Sequence, residues 1–240
     1  MAKHRWDLSV ADAIELQRQL AAEVRIEPLA RPVETIAGTD CAIVPLGPTT
    51  GWVGQRQVDV LIAAAAILCD AKSLKIISAA THTEHCRFPY IPGLLSFREA
   101  PTVIAAVQKL PHRPDLLLCD GQGIAHPRRL GLAAHVGIWL ELPTIGVAKS
   151  RLCGEFRPPG RRRGCHTRLI DRGQVVGSVV RTQDGVQPLY ISVGNRITLE
   201  ECIRWTLRCA RRYRLAEPNR QAHMLVGELT RAIRGGMGGR

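Results

Sequence analysis

The stretch Asp115-Leu116-Leu117-Leu118-Cys119-Asp120-Gly121-Gln122-Gly123 decides the fold class. An apolar run with no polar residue has no solvent face, so it reads as a strand buried on both sides, as parallel strands of α/β proteins are. Its carboxyl end carries Asp120, and the carboxyl ends of such strands are where α/β sheets place ligands. The glycines that follow let backbone approach a ligand closely. Downstream, Gly121–Arg129 reads as a loop, Leu130–Leu140 as a helix, and Thr144–Ala148 as a second buried strand ending at Lys149.

Upstream, Ser9-x-x-Asp12 opens a helix predicted to run to about Val24, with Val10, Ala13, Leu16, Leu20 and Val24 on one face. Thr35–Val44 reads as a strand, Pro45–Gly54 as a turn, and Val58–Leu68 and Leu74–Ala80 as two further strands. Short connections between them predict an antiparallel meander. Phe88-Pro89-Tyr90-Ile91-Pro92-Gly93 excludes both helix and central strand. A helix follows from Leu95, predicted to break near Pro101 and to run on to Leu110. Beyond Lys149, the arginine-rich segment from Arg157 to Arg168 reads as a surface loop. Gln174–Arg181 and Pro188–Val193 form a hairpin across Asp184-Gly185. Thr198-x-x-Glu201 caps a helix to about Tyr213, and a last helix covers Arg220–Ile233. The expectation is one α/β domain over residues 1–234, a mixed sheet flanked by helices, with a disordered tail at Gly235–Arg240.

Lys and Arg total 33 against 21 Asp and Glu, a formal charge of +12. Such a surplus concentrates polyanions, and nucleic acid is the partner it favours. No apolar run is long enough to span a bilayer, so no membrane partner is expected. Eight cysteines are scattered without a C-x-x-C pair, which argues against a zinc ribbon. The amino-terminal segment reads as an amphipathic helix rather than a secretory signal. A reduced, cytoplasmic protein is therefore expected.

Three carboxylates stand out. Asp40 sits inside an otherwise apolar strand, where burial is costly unless the group is paired or bound to a cation. Asp120 ends the buried strand, and Glu99 lies early in the helix after Leu95. Taken singly, each has an ordinary reading: a solvent-facing strand position, a turn-initiating Asp, a helix-start acid. Taken together they suit phosphodiester hydrolysis, because Mg²⁺ held by Asp and Glu oxygens activates water and stabilises the leaving oxygen. With the Asp115–Asp120 strand beside Thr35–Val44, Asp40 and Asp120 can converge and Glu99 can reach the same point.

Five segments resemble the endonuclease V family: Ile36–Asp40, Pro89–Glu99, Asp120–Arg129, Pro143–Lys149 and Arg214–Pro218. They lie in family order and span nearly the whole chain. The resemblance implies an RNase H-like fold and a monomer that nicks DNA containing deaminated bases, at the second phosphodiester bond 3′ to deoxyinosine. That cut leaves 3′-hydroxyl and 5′-phosphate ends with the lesion still attached. Action on inosine-containing RNA is the alternative within the family. By motif position, Asp40, Asp120 and Glu99 would hold Mg²⁺, with Mn²⁺ as a substitute. Lys149 would steady the phosphate or the attacking water, and His223 would stand near the metal. Pro89, Tyr90, Ile91 and Pro92 would form a wedge that fills the gap left by a flipped base. Gly93, Leu95, Gly121 and Gly146 would form the base pocket. Ala216 departs from the family's usual Leu-Pro-Glu-Pro, and the arginine-rich segment matches it poorly.

Overall fold

A computed structural model describes residues 4–46, 60–86 and 88–237. Eight strands form one sheet in the order β3-β2-β1-β4-β5-β8-β7-β6. Here β1 is Thr35–Pro45, β2 Val60–Asp70, β3 Ile76–Cys86, β4 Leu116–Cys119, β5 Thr144–Ala148, β6 His166–Asp171, β7 Gln174–Val180 and β8 Leu189–Asn195. The first three strands are the expected antiparallel meander. The apolar strand β4 runs parallel to both β1 and β5. The last three strands return antiparallel, including the hairpin read across Asp184-Gly185. Most of the expected Pro45–Gly54 turn lies outside the described residues.

Helices cover both faces. On one lie α4 (Leu199–Cys209) and α5 (Glu217–Met237), packed on Ile36, Leu116, Leu118 and Ile145. On the other lie α2 (Leu95–Gln108) and α3 (Leu132–Leu140), packed on Ala37, Ala66 and Leu117. Alternation along β1 therefore sends Asp40, in phase with Ile36 and Val44, toward α5. Helix α1 (Val10–Ala21) is capped by Ser9, whose side chain accepts from the Asp12 amide at 3.1 Å. The Thr198/Glu201 capping box opens α4 as expected.

Four expectations need correction. Helix α2 passes through Pro101 without a break. An interior proline costs about 3 kcal/mol, and this helix offsets it by burying nearly all of Ser96–Val107 between sheet and neighbours. The arginine-rich segment is not all loop, since His166–Asp171 is an edge strand. Only Leu169 of its six residues is buried, so it lacks the period-2 signal. Helix α4 stops at Cys209, short of Tyr213, whereas α5 starts at Glu217 with Pro218 in its first turn, where a missing amide donor is harmless. The expected tail at Gly235–Arg240 is helical as far as Met237, and residues 238–240 lie outside the described part. All eight cysteines are free thiols, four of them buried.

Candidate active site

The parallel pairing of β1 with β4 sets Thr39 beside Cys119, so the next residues, Asp40 and Asp120, are neighbours at the sheet's centre. The Asp120 amide donates to Thr39 O at 3.3 Å and continues the ladder one step. Below the pair, α5 presses directly on β1. A β-carbon at Gly38 would clash with the Pro218–Asn219 backbone, so only glycine admits the helix there. Asn219, 2% exposed, donates its side-chain amide to Thr39 O (3.1 Å) and Leu118 O (2.9 Å), stitching the two strands together.

Burial raises Asp120 well above the ordinary carboxylate range, and a hydrogen bond with Asp40 adds to the shift. Such a bond needs a proton on one of the two carboxyls. Lys149 Nζ, 2.5 Å from Asp120 Oδ2, works the other way by favouring the charged form. Glu99 reaches the pair from α2, on the opposite face. Burial raises it to about 7; the Cys41 thiol donates to it, while Asp120 and Asp40 repel its charge. His223, on α5 and 60% exposed, sets Nδ1 2.6 Å from Asp40 Oδ2. All five polar residues expected at the centre are thus brought to one place.

Like charges crowded in a low-dielectric pocket are unstable without a proton or a cation. The oxygen-only pair Asp40/Asp120 fits Mg²⁺, which takes one or two carboxylates and keeps waters rather than demanding an all-protein cage. No such cage exists: among the described residues no three His, Cys, Asp or Glu form a ready-made ligand group.

The segment at residues 88–93 forms a turn just before α2, the helix that carries Glu99. Tyr90 is 56% exposed and Pro89 and Pro92 are exposed, whereas Ile91 is half-buried. The turn is braced from beneath. Phe88 stacks on Phe97 with ring centres 5.6 Å apart, and Arg98 Nη1 donates to Phe88 O at 2.7 Å. Gly93 takes φ of +82°, and its carbonyl accepts from Gln17 Nε2 (3.0 Å) and Arg128 Nη2 (2.8 Å). Gln17 also accepts from Arg128 Nε. His126, buried and lowered to about 4 by desolvation, accepts the Arg128 amide on Nδ1 and so holds the loop.

The four residues expected to make a pocket divide into two groups. Gly146 lies directly under the 121–123 backbone, and a β-carbon there would strike the Gly123 amide. Gly93 closes the turn and is bonded to Arg128 of the loop that begins at Asp120, while the exposed Leu95 opens α2. Gln17, Cys41, Arg214 and Asn219 were missed in the sequence reading. Arg214, half-buried, donates to Lys149 O at 3.0 Å and fixes the backbone that carries the lysine. Gln17 alone left a signal, a polar residue on the apolar face of α1.

A buried and a half-buried carboxylate side by side in an RNase H-like mixed sheet, with a lysine alongside, form a centre suited to phosphodiester hydrolysis. The comparisons with known proteins agree. The endonuclease V family model matches residues 18–224. An endonuclease V of Gloeobacter violaceus is 44% identical over 226 residues, 93% of this chain and 87% of that protein. The crystal structure of a Streptomyces avermitilis endonuclease V superposes with a TM-score of 0.84 at 37% identity, covering 95% and 96% of the two chains. A Ciona intestinalis endonuclease V, crystallised with DNA containing an inosine followed by a ribo-adenosine, shares the fold at 21% identity and a TM-score of 0.74, over 93% and 98%. This chain belongs to the endonuclease V family.

Proposed function

We propose that the protein is a Mg²⁺-dependent endonuclease that cuts the second phosphodiester bond 3′ to deoxyinosine, leaving 3′-hydroxyl and 5′-phosphate ends. The observation that carries this reading is the contact between Asp40 and Asp120 on adjacent parallel strands, two carboxylates whose shared burial favours a cation. Asp40 and Asp120 would hold the ion, and Glu99 would act through water. Bound there, Mg²⁺, or Mn²⁺ in its place, supplies positive charge at the scissile phosphate and makes water more acidic.

The chain's own groups do the rest. His223 fixes the Asp40 carboxylate from the solvent side. Lys149, exposed and held through its backbone by Arg214, is aimed at Asp120 and can meet a phosphate oxygen or orient the attacking water. Tyr90 would stack in the gap left by the flipped nucleotide, on a turn stiffened by Pro89 and Pro92. Gly93, Leu95, Gly121 and Gly146 would border the extruded base, where backbone amides and carbonyls can read its edge. None of the described helices is long and apolar enough to cross a membrane, and a cytoplasmic monomer acting on damaged DNA is the form we propose.

A nicking assay on a duplex with one deoxyinosine, with and without Mg²⁺, tests the reading. The expected product is a single Mg²⁺-dependent nick one nucleotide beyond the lesion's own 3′ phosphate. Cutting that ignores the lesion, or persists in chelator, would overturn it. The ribonucleotide after the inosine in the Ciona complex favours one further comparison: the same assay on matched inosine-containing RNA.

A further inference from the structure

Beyond Lys149 the chain does not leave the surface. Residues 151–157 fold back onto the edge strand β6, where Glu155 and Ile170 exchange backbone hydrogen bonds of 2.7 and 2.9 Å. Thr167 Oγ1 ties down the Arg157 carbonyl at 2.6 Å. Between this segment and the β6–β7 turn lies a broad concavity of about 1020 Å³. Arg151, Arg157, Arg168 and Arg172 line it, with Leu152 and Ile170 exposed among them.

Its charge is only partly cancelled from within. Asp171 is engaged by Arg129 at 2.7 Å and by Arg172 at 3.5 Å, which leaves Glu155 as the other lining acid. The side chains of Arg157 and Arg168 make no hydrogen bond or ion pair among the described residues. The neighbouring arginines behave differently. Arg163 is spent on carbonyls at the end of α4, 2.5 Å from Leu207 O, and Arg181 on the carbonyls of Pro159, Gly160 and Val186.

The groove also adjoins the candidate active site, its lining beginning two residues after Lys149. Ser150, next to Lys149, accepts from Gln122 Nε2 at 2.9 Å, and Arg172 Nη2 donates to Pro127 O at 2.9 Å. The loop that begins at Asp120 is therefore tied to both sides of the groove. Rows of guanidinium groups with apolar side chains between them suit a nucleic-acid strand, its phosphates on the arginines and its sugars and bases over the aliphatic surface.

We infer that the substrate strand, after passing the carboxylate pair, continues along this groove on Arg151, Arg157, Arg168 and Arg172. The inference rests on the nuclease reading above and extends it to the flanking strand. The test is the salt dependence of binding to a long, undamaged duplex, compared between wild type, Arg157→Ala/Arg168→Ala and Arg161→Ala/Arg162→Ala. Each phosphate contact contributes about −0.9 to the slope of log affinity against log salt. The groove pair should flatten the slope by about one to two while the melting temperature holds. The Arg161/Arg162 pair should leave the slope unchanged. A short inosine oligonucleotide ending just past the scissile bond should be cut by the groove variant at the wild-type rate. An unchanged slope, or an equal defect on the short oligonucleotide, overturns the inference. Should wild type cut no inosine substrate at all, the nuclease assignment would fall, while the slope on undamaged DNA would still decide whether the groove binds nucleic acid.

Discussion

Asp40 is 6% exposed and Tyr90 is 56% exposed, and the two are held in opposite ways. Asp40 stands in a floor fixed from every side: paired strands on both flanks, α5 pressed on Gly38, and Asn219 bridging the carbonyls beneath. The Tyr90 turn is gripped at its two ends, by the Phe88–Phe97 stack and by the bonds to Gly93 O, while its tip projects. Burial at the floor shifts acidities and so prepares a charge-binding centre. Exposure at the turn presents an aromatic ring at the surface, with the Arg98 guanidinium 5.8 Å from its centre. On this account, chemistry belongs to the floor and lesion recognition to the turn, and the two can be broken separately.

The largest effect is expected at the floor. Asp40→Ala and Asp120→Ala should each slow single-turnover nicking by about a thousandfold or more, since loss of metal-centred stabilisation removes several kcal/mol and each 1.36 kcal/mol is about tenfold. Lesion affinity in a gel-shift assay should stay within a few-fold of wild type. A floor variant that cuts normally would end the comparison at once.

Next comes the turn. Tyr90→Ala forfeits a base–aromatic contact worth about 1–3 kcal/mol, which corresponds to roughly 5–150-fold weaker binding of a deoxyinosine duplex. The defect should shrink on single-stranded deoxyinosine, where no stacked duplex has to be parted. Equal losses on both substrates would turn Tyr90 from a wedge into a support for its surroundings.

A smaller, pH-linked effect sharpens the floor's half of the contrast. Glu99 titrates near 7 when folded and in the ordinary carboxylate range when unfolded. Between those values the folded chain binds more protons. Its stability is therefore greatest on the acid side and falls as pH rises through about 7. Burial and Asp40 push Asp120 in the same direction. A cation that binds only the folded state offsets the loss. Thermal melts should accordingly show a larger Mg²⁺-induced rise near pH 8 than near pH 5, and an equal rise at both would sever the link. The smallest effect is expected for Tyr90→Phe, which keeps the ring and should bind within about twofold of wild type by the same stacking argument.

The same contrast explains what could be read from the sequence. The meander, the buried strands β4 and β5 and the convergence of Asp40 with Asp120 were legible because hydrophobic runs and their breaks report burial directly. Strand β6 was not, since an edge strand with one buried residue carries no alternation. The continuity of α2 through Pro101 was hidden too, because tertiary burial outweighs a local penalty that is all the sequence displays. Gln17, Arg214 and Asn219 act on carbonyls 26 to 180 residues away in the chain, and apart from the place of Gln17 on the apolar face of α1 nothing local marks such partners. The turn at Tyr90 was legible for the converse reason: two prolines and a glycine fix its backbone whatever surrounds it.

The most direct test of the division between floor and turn is a Mn²⁺ titration followed by electron paramagnetic resonance on wild type, Asp40→Asn/Asp120→Asn and Tyr90→Ala. The account predicts Mn²⁺ binding at the same affinity in wild type and Tyr90→Ala, and its loss in the paired Asp variant. Undiminished Mn²⁺ binding by Asp40→Asn/Asp120→Asn would contradict it.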